Sequence, residues 1–171
     1  THNMNDIKKV TFFMDECKRQ GIPVLGPDVN ESNYKFTVNK KGKIRFGLGA
    51  VKGAGESAVE AIVSERNENG AFKSIFDLTK RINLRSANKK CLEALALGGA
   101  FDGFEGVHRA QYFHVNENET NNLIEKAIKS GSNFKSGQSA LQHSLFGGSS
   151  GIDLAEPAIP QCPPWPIVEQ L

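Results

Sequence analysis

Residues 48–63 of the chain read LGAVKGAGESAVEAIV, and this stretch decides the fold. Apolar residues recur at helical spacing on both sides of Gly53 and Gly55, so the stretch predicts two helices joined by a tight turn, the glycine hairpin (residues 52–55). Glycine permits positive φ and carries no side chain, so the turn exposes bare backbone N–H groups. The unpaired amides and positive dipole end of the second helix point out of the same turn, beside Lys52. We expect an anion as the ligand of this corner.

The composition bounds the class of protein. With 171 residues, 39% hydrophobic and 23% charged, the chain can hold one or two small domains. It has no apolar run long enough to span a bilayer, and its first residues lack the pattern of a signal peptide, so we expect a cytoplasmic protein with no membrane partner. Cys17, Cys91 and Cys162 lie more than 70 residues apart. We therefore predict free thiols, with neither a disulfide nor a zinc site.

The charge is unevenly distributed along the chain. The first hundred residues carry 17 lysines and arginines against 11 acids, whereas the remainder carries 4 against 8. A basic patch around the glycine hairpin suits a polyanion, although a merely solvated basic face is the alternative. The basic residues flanking the hairpin are Lys40, Lys41, Lys43, Arg45, Lys80, Arg81, Arg85, Lys89 and Lys90.

The chain before the glycine hairpin predicts one helix and short strands. Apolar residues at spacings of three and four predict an amphipathic helix over residues 5–20. Residues 22–28 are interrupted by proline and predict a short edge strand. Residues 34–38 and 43–46 alternate apolar with polar side chains, which predicts a β-hairpin with a lysine-rich tip.

The chain after the glycine hairpin predicts more helices. Residues 74–82 form a helix capped by Ser74, and a further helix starts near Asn88 and breaks at residues 98–102. This break repeats the first in outline, so we expect two helix-hairpin-helix units around a shared core. Residues 107–130 are expected to be helical, with a possible interruption among their asparagines. The predicted fold class is mainly α with a small β-hairpin, that is, α+β.

From residue 131 the composition changes to that of a tether. Residues 131–138 and 147–151 are rich in glycine and serine, which predicts flexible linkers. Between them, Leu145 and Phe146 have no local apolar neighbours. We interpret them as a peptide that fills an apolar pocket on a partner while Gln142 hydrogen-bonds at its rim; the alternative is that they dock back on this domain.

Several motifs together resemble a segment of the alpha subunits of bacterial DNA polymerase III, the C-family of replicative polymerases. The resemblance covers essentially the whole chain, and the order of the motifs makes it specific. They are DECKRQG (15–21), GPDVN (26–30), FGLGAVKGAG (46–55), GGAFD (98–102), His108-Arg109, QHSLF (142–146) and CPPWP (162–166).

The resemblance implies a division of the chain. Residues 1–38 correspond to the end of the fingers region, and residues 39–130 to a tandem helix-hairpin-helix domain that contacts duplex DNA. Residues 131–160 are the tether, in which residues 142–146 resemble the family's sliding-clamp-binding motif, and residues 161–171 lead into the following domain. Other holoenzyme subunits are further expected partners. The family's catalytic aspartates, which hold two Mg²⁺ ions, lie in a palm domain upstream.

The fragment itself is not expected to carry catalytic residues or a cofactor. Its acids are scattered, whereas phosphoryl transfer needs clustered carboxylates to hold metal. We therefore predict a module that binds duplex DNA without sequence specificity and tethers the polymerase to the clamp. The alternatives are a protein-interaction scaffold and a DNA-repair helix-hairpin-helix domain. The predicted DNA-binding residues are Lys52, Gly53, Ala54, Gly55, Lys89 and Lys90, and the predicted clamp-binding residues are Gln142, Leu145 and Phe146.

Overall fold

The structure is a computed structural model that describes residues 6–143 and 156–166. It is mostly helical with a small three-stranded sheet, which confirms the predicted α+β fold class. The elements, in chain order, are α1 (Ile7–Arg19), β1 (Val24–Leu25), β2 (Thr37–Val38), β3 (Ile44–Arg45), a 3₁₀ turn (Leu48–Ala50), α2 (Glu56–Asn69), α3 (Ile75–Arg81), α4 (Lys89–Leu97), α5 (Arg109–Phe113) and α6 (Leu123–His143).

Helix α1 starts and stops where its sequence predicts. The Asp6 side chain accepts a hydrogen bond from the Lys9 amide, and Gly21, with φ of 70°, lies just after the last turn. The helix packs against β1 and buries none of its residues fully. Phe12 and Phe13 consequently remain 66% and 54% exposed.

The three strands lie side by side in the order β1, β3, β2. Strand β1 is parallel to β3, with Val24 opposite Ile44, and β2 is antiparallel to it, with Thr37 opposite Arg45. The predicted edge strand and the predicted β-hairpin are therefore both confirmed. Strand β3 leads directly through Phe46 into the 3₁₀ turn, so the sheet fixes the start of the glycine hairpin.

One hydrophobic core joins the 3₁₀ turn and helices α2 to α6. Helix α2 starts after a glycine and ends at Gly70, whose φ is 85°. Helices α3 and α4 are capped by the side chains of Ser74 and Asn88. The predicted Ser74 cap and the predicted helix start near Asn88 are thereby confirmed. The largest fully buried side chains are Tyr112, Phe101, Leu48, Ile62, Leu78, Ile82, Leu92, Leu95, Leu123, Ile124, Val29 and Val59.

The predicted flexible tether is wrong for residues 131–143, which continue helix α6 to His143. Gly131 explains the discrepancy, because a Cβ atom there would come within 2.5 Å of the Thr79 carbonyl oxygen. The glycine thus lets α6 approach α3 closely, and the Thr79 hydroxyl donates to the Ala127 carbonyl at 2.8 Å. The Lys135 ammonium donates to the Ile82 carbonyl one turn further along. Glycine at this position serves helix packing instead of flexibility.

The first helix of the glycine hairpin is shorter than expected, because it is a single 3₁₀ turn. Its amides are held by a neighbouring loop: the Leu48 N–H donates to the Asn33 carbonyl at 2.8 Å and the Gly49 N–H to the Tyr34 carbonyl at 3.0 Å. A Cβ atom at Gly47 would clash with the Tyr34 carbonyl. Contacts with this loop therefore replace the helical hydrogen bonds of a longer first helix.

The second glycine break also departs from the predicted pattern. Residues 98–106 form turns and bends, and the helix that follows, α5, has only five residues. A non-helical stretch at residues 114–122 then separates α5 from α6, which confirms the expected interruption. Helix α6 begins at a reciprocal cap in which the side chain of Asn122 accepts from the Glu125 amide and the side chain of Glu125 accepts from the Asn122 amide.

Candidate nucleic-acid interface

The glycine hairpin is an exposed corner that points its backbone outward. Gly53 has a φ of 98°, a conformation that side chains disfavour, and a Cβ atom there would lie 3.1 Å from the Ala94 Cβ. Gly55 is the N-cap of α2, with φ of −68° and ψ of 151° and no side-chain cap. Lys52, Gly53 and Gly55 are all exposed to solvent.

The amides of this corner differ in their partners. The Ala54 N–H donates to the Val51 carbonyl at 3.0 Å, and the Gly55 backbone lies beside the Cys91 thiol, whose pKa it lowers against the larger effect of burial. Contact of Lys52, Gly53, Ala54 and Gly55 with DNA remains a prediction. The Gly53 amide has no acceptor within the described residues.

Helix α2 supplies two further donors that the sequence analysis did not single out. The N–H groups of Glu56 and Ser57, its first two residues, have no acceptor in the described part of the chain. Unpaired amides of this kind, together with the helix dipole, favour an anion at a helix N-terminus. A glycine N-cap has no side chain that could accept a hydrogen bond from these amides, so they stay unpaired. The absence of Ser, Thr, Asp or Asn at residue 55 is the feature of the sequence that indicates this.

Helix α4 supports the hairpin from beneath with small residues on one face. Gly98 lies against Val51, where a Cβ atom would come within 3.2 Å of the valine side chain. Ala94 lies against Gly53, and Cys91 lies under Gly55. Burial raises the pKa of the Cys91 thiol, which therefore stays protonated as a neutral partner of the amide. Positions 91, 94 and 98 recur at helical spacing and therefore form one face of α4. The sequence shows this face of small residues, but only the structure shows that it packs against the glycine hairpin.

A groove of about 520 Å³, the glycine groove, runs between the hairpin and α4. Lys52 and Gly53 lie on its hairpin side and Lys90 on its α4 side, while Leu97, 53% exposed, contributes to an apolar floor. Neither lysine forms an ion pair within the described residues. Glu93 is the carboxylate that lines the groove. The structure thus brings the predicted Lys52 and Lys90 to one site.

Lys89, the neighbouring predicted residue, is paired with two carboxylates. Its ammonium lies 2.6 Å from a Glu125 carboxylate oxygen on α6 and 3.8 Å from one of Glu93. The hydrogen bond to Glu125 raises the pKa of Lys89 and lowers the pKa of Glu125. Lys89 therefore joins two helices in this structure, and its contact with DNA remains a prediction.

At the second glycine break, the amides of the glycine pair are bonded to α4. The amides of Gly99 and Ala100 donate to carbonyls of α4 at 3.1 and 2.9 Å. The Arg109 guanidinium makes a bidentate pair with the Asp102 carboxylate, at 3.0 Å from Nε and 2.7 Å from Nη2. The Gly99 and Ala100 amides therefore have acceptors, whereas the Gly53 amide has none among the described residues.

The family comparison covers the same part of the chain. A family model described as a helix-hairpin-helix motif matches residues 21–112, which is more than half of the chain and includes both glycine breaks. The chain belongs to the helix-hairpin-helix family.

DNA polymerase III alpha subunits are similar to most of the chain. The DNA polymerase III alpha subunits of Vibrio cholerae and of Escherichia coli K12 are each 36% identical to it over 167 residues, or 97% of the chain. The alpha subunit of Haemophilus influenzae is 44% identical over 110 residues, or 64% of the chain. The chain spans 14% of the length of the first two relatives and 9% of the third. Its homologues are therefore alpha subunits of bacterial replicative polymerases, and the chain is consistent with a segment of one.

The C-terminal described segment, residues 156–166, lies across this helix-hairpin-helix domain. The side-chain amide of the buried Gln111 donates to the Pro160 carbonyl at 2.9 Å. The Trp165 ring stacks on the Phe113 ring, with the two ring centroids 5.5 Å apart. These two contacts hold the segment on the domain. Among the described residues no helix is long and apolar enough to cross a membrane.

Proposed function

We propose that this chain grips the backbone of duplex DNA within a replicative polymerase, without reading its sequence. The observation that supports the proposal is that Gly53, whose amide has no acceptor among the described residues, lines one groove with Lys52 and Lys90. The unpaired amides of Glu56 and Ser57 follow in the chain, at the N-terminus of α2. Amides and ammonium groups are ligands for phosphate oxygens, and phosphate is the same at every base pair.

The amides and the lysines contribute in different ways. The amides are neutral donors held in a fixed arrangement by α2 and α4, so they select the position of a phosphate. Lys52 and Lys90 carry the net charge that releases counterions, so they set the salt dependence. The exposed carboxylate of Glu56 lies in the first turn of α2 and opposes an anion there. With only two charged contacts, we expect micromolar or weaker affinity.

Duplex binding by the 171-residue chain tests this function. The variant Lys52→Ala with Lys90→Ala should lower affinity for a mixed-sequence duplex in fluorescence anisotropy, and should reduce the slope of log K against log salt by up to about 1.8, or about 0.9 for each phosphate contact. The control is Lys73→Ala with Lys129→Ala, which removes the same charge from exposed lysines elsewhere. If the affinity and the salt slope of the Lys52→Ala, Lys90→Ala variant equal those of the control, these lysines do not bind DNA, and the protein-interaction scaffold becomes the favoured function.

A repair function predicts a different result from the same material. Helix-hairpin-helix units also occur in glycosylases and nucleases, which cut or excise where this chain should only bind. Incubation with duplexes that carry uracil, an abasic site or a nick should leave the DNA intact. Cleavage or base release by the purified chain would favour the repair reading.

We also propose that residues 142–146 bind a sliding clamp. Gln142 lies in the last turn of α6, whereas Leu145 and Phe146 lie outside the described residues. The described chain on either side, α6 and residues 156–166, packs on the helix-hairpin-helix domain. A clamp contact would therefore be joined to a weak DNA contact, and linking two weak contacts raises avidity.

Clamp capture separates this contact from DNA binding. Leu145→Ala with Phe146→Ala should abolish binding to the purified clamp in surface plasmon resonance and should leave duplex affinity unchanged. Persistent clamp binding would contradict the assignment. DNA synthesis, with the Mg²⁺ ions of a palm domain, other holoenzyme subunits as partners and a cytoplasmic location, is proposed for the whole protein.

A further inference from the structure

We propose that the lysine hairpin, the turn at residues 39–43 between β2 and β3, is a second binding site for the phosphate backbone of nucleic acid. The inference deepens the proposed function and rests on it for the class of ligand. Lys40, Lys41 and Lys43 belong to this turn, and none of them lines the glycine groove.

The turn is an ordered platform for these three lysines. The Asn39 side-chain oxygen accepts hydrogen bonds from the amides of Lys41 and Lys43, both at 3.0 Å. The Asn39 N–H donates to the Lys43 carbonyl at 2.9 Å, and Gly42 adopts the positive φ of 72° that closes the turn. The backbone amides of residues 39 and 41–43 are thereby used, so a ligand would be bound by side-chain charge.

The charge of the turn is uncompensated. Lys40 and Lys41 are exposed and Lys43 is half-buried, and none of them has a carboxylate within ion-pair distance in the described part of the chain. They line a groove of about 580 Å³, the lysine groove, together with Arg45 and one carboxylate, Glu31.

Glu31 is already committed to a partner. Its carboxylate lies 2.5 Å from the Arg45 guanidinium, and hydrogen bonds from Arg45 and then Asn39 lower the pKa of Glu31. It therefore remains ionised and paired with an arginine of the same groove. One acid against four cations leaves the lysine groove strongly positive.

The lysine hairpin lies near enough to the glycine groove to act on the same nucleic acid. Strand β3 joins them, since Lys43 lines the lysine groove and Phe46, three residues later, lines the glycine groove. At about 3.3 Å per residue the separation along the strand is about 10 Å. One turn of duplex is about 34 Å long, so these two lining residues are separated by less than one turn.

The two sites should respond differently to substitution, because one uses amides and charge and the other uses charge alone. Lys40→Ala, Lys41→Ala and Lys43→Ala together should reduce the salt slope by up to about 2.7 on duplex DNA, or about 2.1 on a single strand. At 0.1 M salt each lost duplex contact should weaken binding by up to about eight-fold, from the same relation. The corresponding triple arginine variant should retain both the affinity and the slope.

Fluorescence anisotropy on labelled duplex and on labelled single-stranded DNA tests the site, with the circular dichroism melt checked for every variant. The control is Lys18→Ala, Lys73→Ala and Lys129→Ala, which removes three exposed lysines outside the turn. A loss of slope beyond the control on duplex DNA assigns the site to the duplex, and a loss only on the single strand assigns it to an unpaired strand. Slopes equal to the control on both ligands would overturn the proposal.

The design keeps the two sites distinguishable. If the glycine-groove variant Lys52→Ala with Lys90→Ala binds normally while the lysine-hairpin variant loses slope, the proposed function fails at its first site and the second site stands. If the lysine-hairpin variant matches its control while the glycine-groove variant loses affinity, the second site fails alone. Combining the two variants should reduce the slope by the sum of their separate effects when both contact one duplex.

Discussion

Replacing Gly55 by aspartate should make the chain more stable and a weaker DNA binder at the same time. Gly55 is the N-cap of α2, has a φ of −68° that any residue adopts, and has no atom within 4 Å of the place a Cβ would occupy. An aspartate therefore fits without strain. Its carboxylate can accept from the amides of the first turn of α2, which an incoming phosphate would otherwise bind.

The size of both effects follows from this geometry. Aspartate at an N-cap exceeds glycine by about 0.3 kcal/mol, and the loss of glycine's freedom in the unfolded chain adds about 0.4–1 kcal/mol, so unfolding should cost about 0.7–1.3 kcal/mol more. A carboxylate about 5 Å from a phosphate charge is repelled by about 0.8 kcal/mol in bulk water and by about 3 kcal/mol at an effective dielectric constant of 20. Duplex affinity should therefore fall by about 4-fold to about 150-fold.

Urea unfolding followed by circular dichroism measures the stability, and anisotropy at 0.1 M salt measures the affinity. Gly55→Ser is the matched control, since serine also caps the helix but adds no charge. It should stabilise the fold by a similar amount and weaken binding less than aspartate. An aspartate variant that is more stable yet binds duplex as tightly as the wild type would refute the assignment of these amides to phosphate.

Three further substitutions test the packing that holds the site. Arg66→Met should destabilise the fold by about 2–4 kcal/mol in urea unfolding. The buried guanidinium donates to the carbonyls of Val29 and Ser32 at 3.0 and 2.7 Å, and both carbonyls would lose a partner. A loss of stability below about 1 kcal/mol would contradict this. Tyr112→Phe should stabilise the fold by about 1 kcal/mol, because the tyrosine hydroxyl is buried without a partner among the described residues. Burial raises the pKa of Tyr112, so the phenol loses its proton at lower pH in the unfolded chain than in the folded one. The stability of the wild type should therefore fall above about pH 10, and that of Tyr112→Phe should fall less. Identical thermal melts of the two proteins at alkaline pH would contradict this linkage. Trp165→Ala removes the stacking on Phe113 and should speed proteolysis at residues 156–166 while the melt of the helical domain changes little, and an unaltered cleavage rate would show that the ring does not hold this segment.

The sequence by itself determined the elements whose signals are local. The caps at Ser74 and Asn88, the period of apolar residues in α4 and the alternation in β2 and β3 each act within a few residues, and the structure agrees with all of them. The glycine hairpin was readable for the same reason, since two glycines before an apolar helix specify a turn with exposed amides.

Tertiary structure alone decided which groups of that turn remain available. Lys89 and Lys90 are adjacent in the sequence, yet Lys89 meets Glu125 on α6, 36 residues away, while Lys90 faces the groove. The Ala54 amide donates to the Val51 carbonyl, while the Gly53 amide has no acceptor among the described residues.

The helical course of residues 131–143 has the same kind of origin. Glycine and serine there predicted a flexible linker, because local propensity favours coil for such residues. Close packing of Gly131 against Thr79, a residue 52 positions earlier, outweighs that propensity. Pairing and packing between distant segments depend on where the whole chain brings them, and local sequence patterns carry no information about that distance.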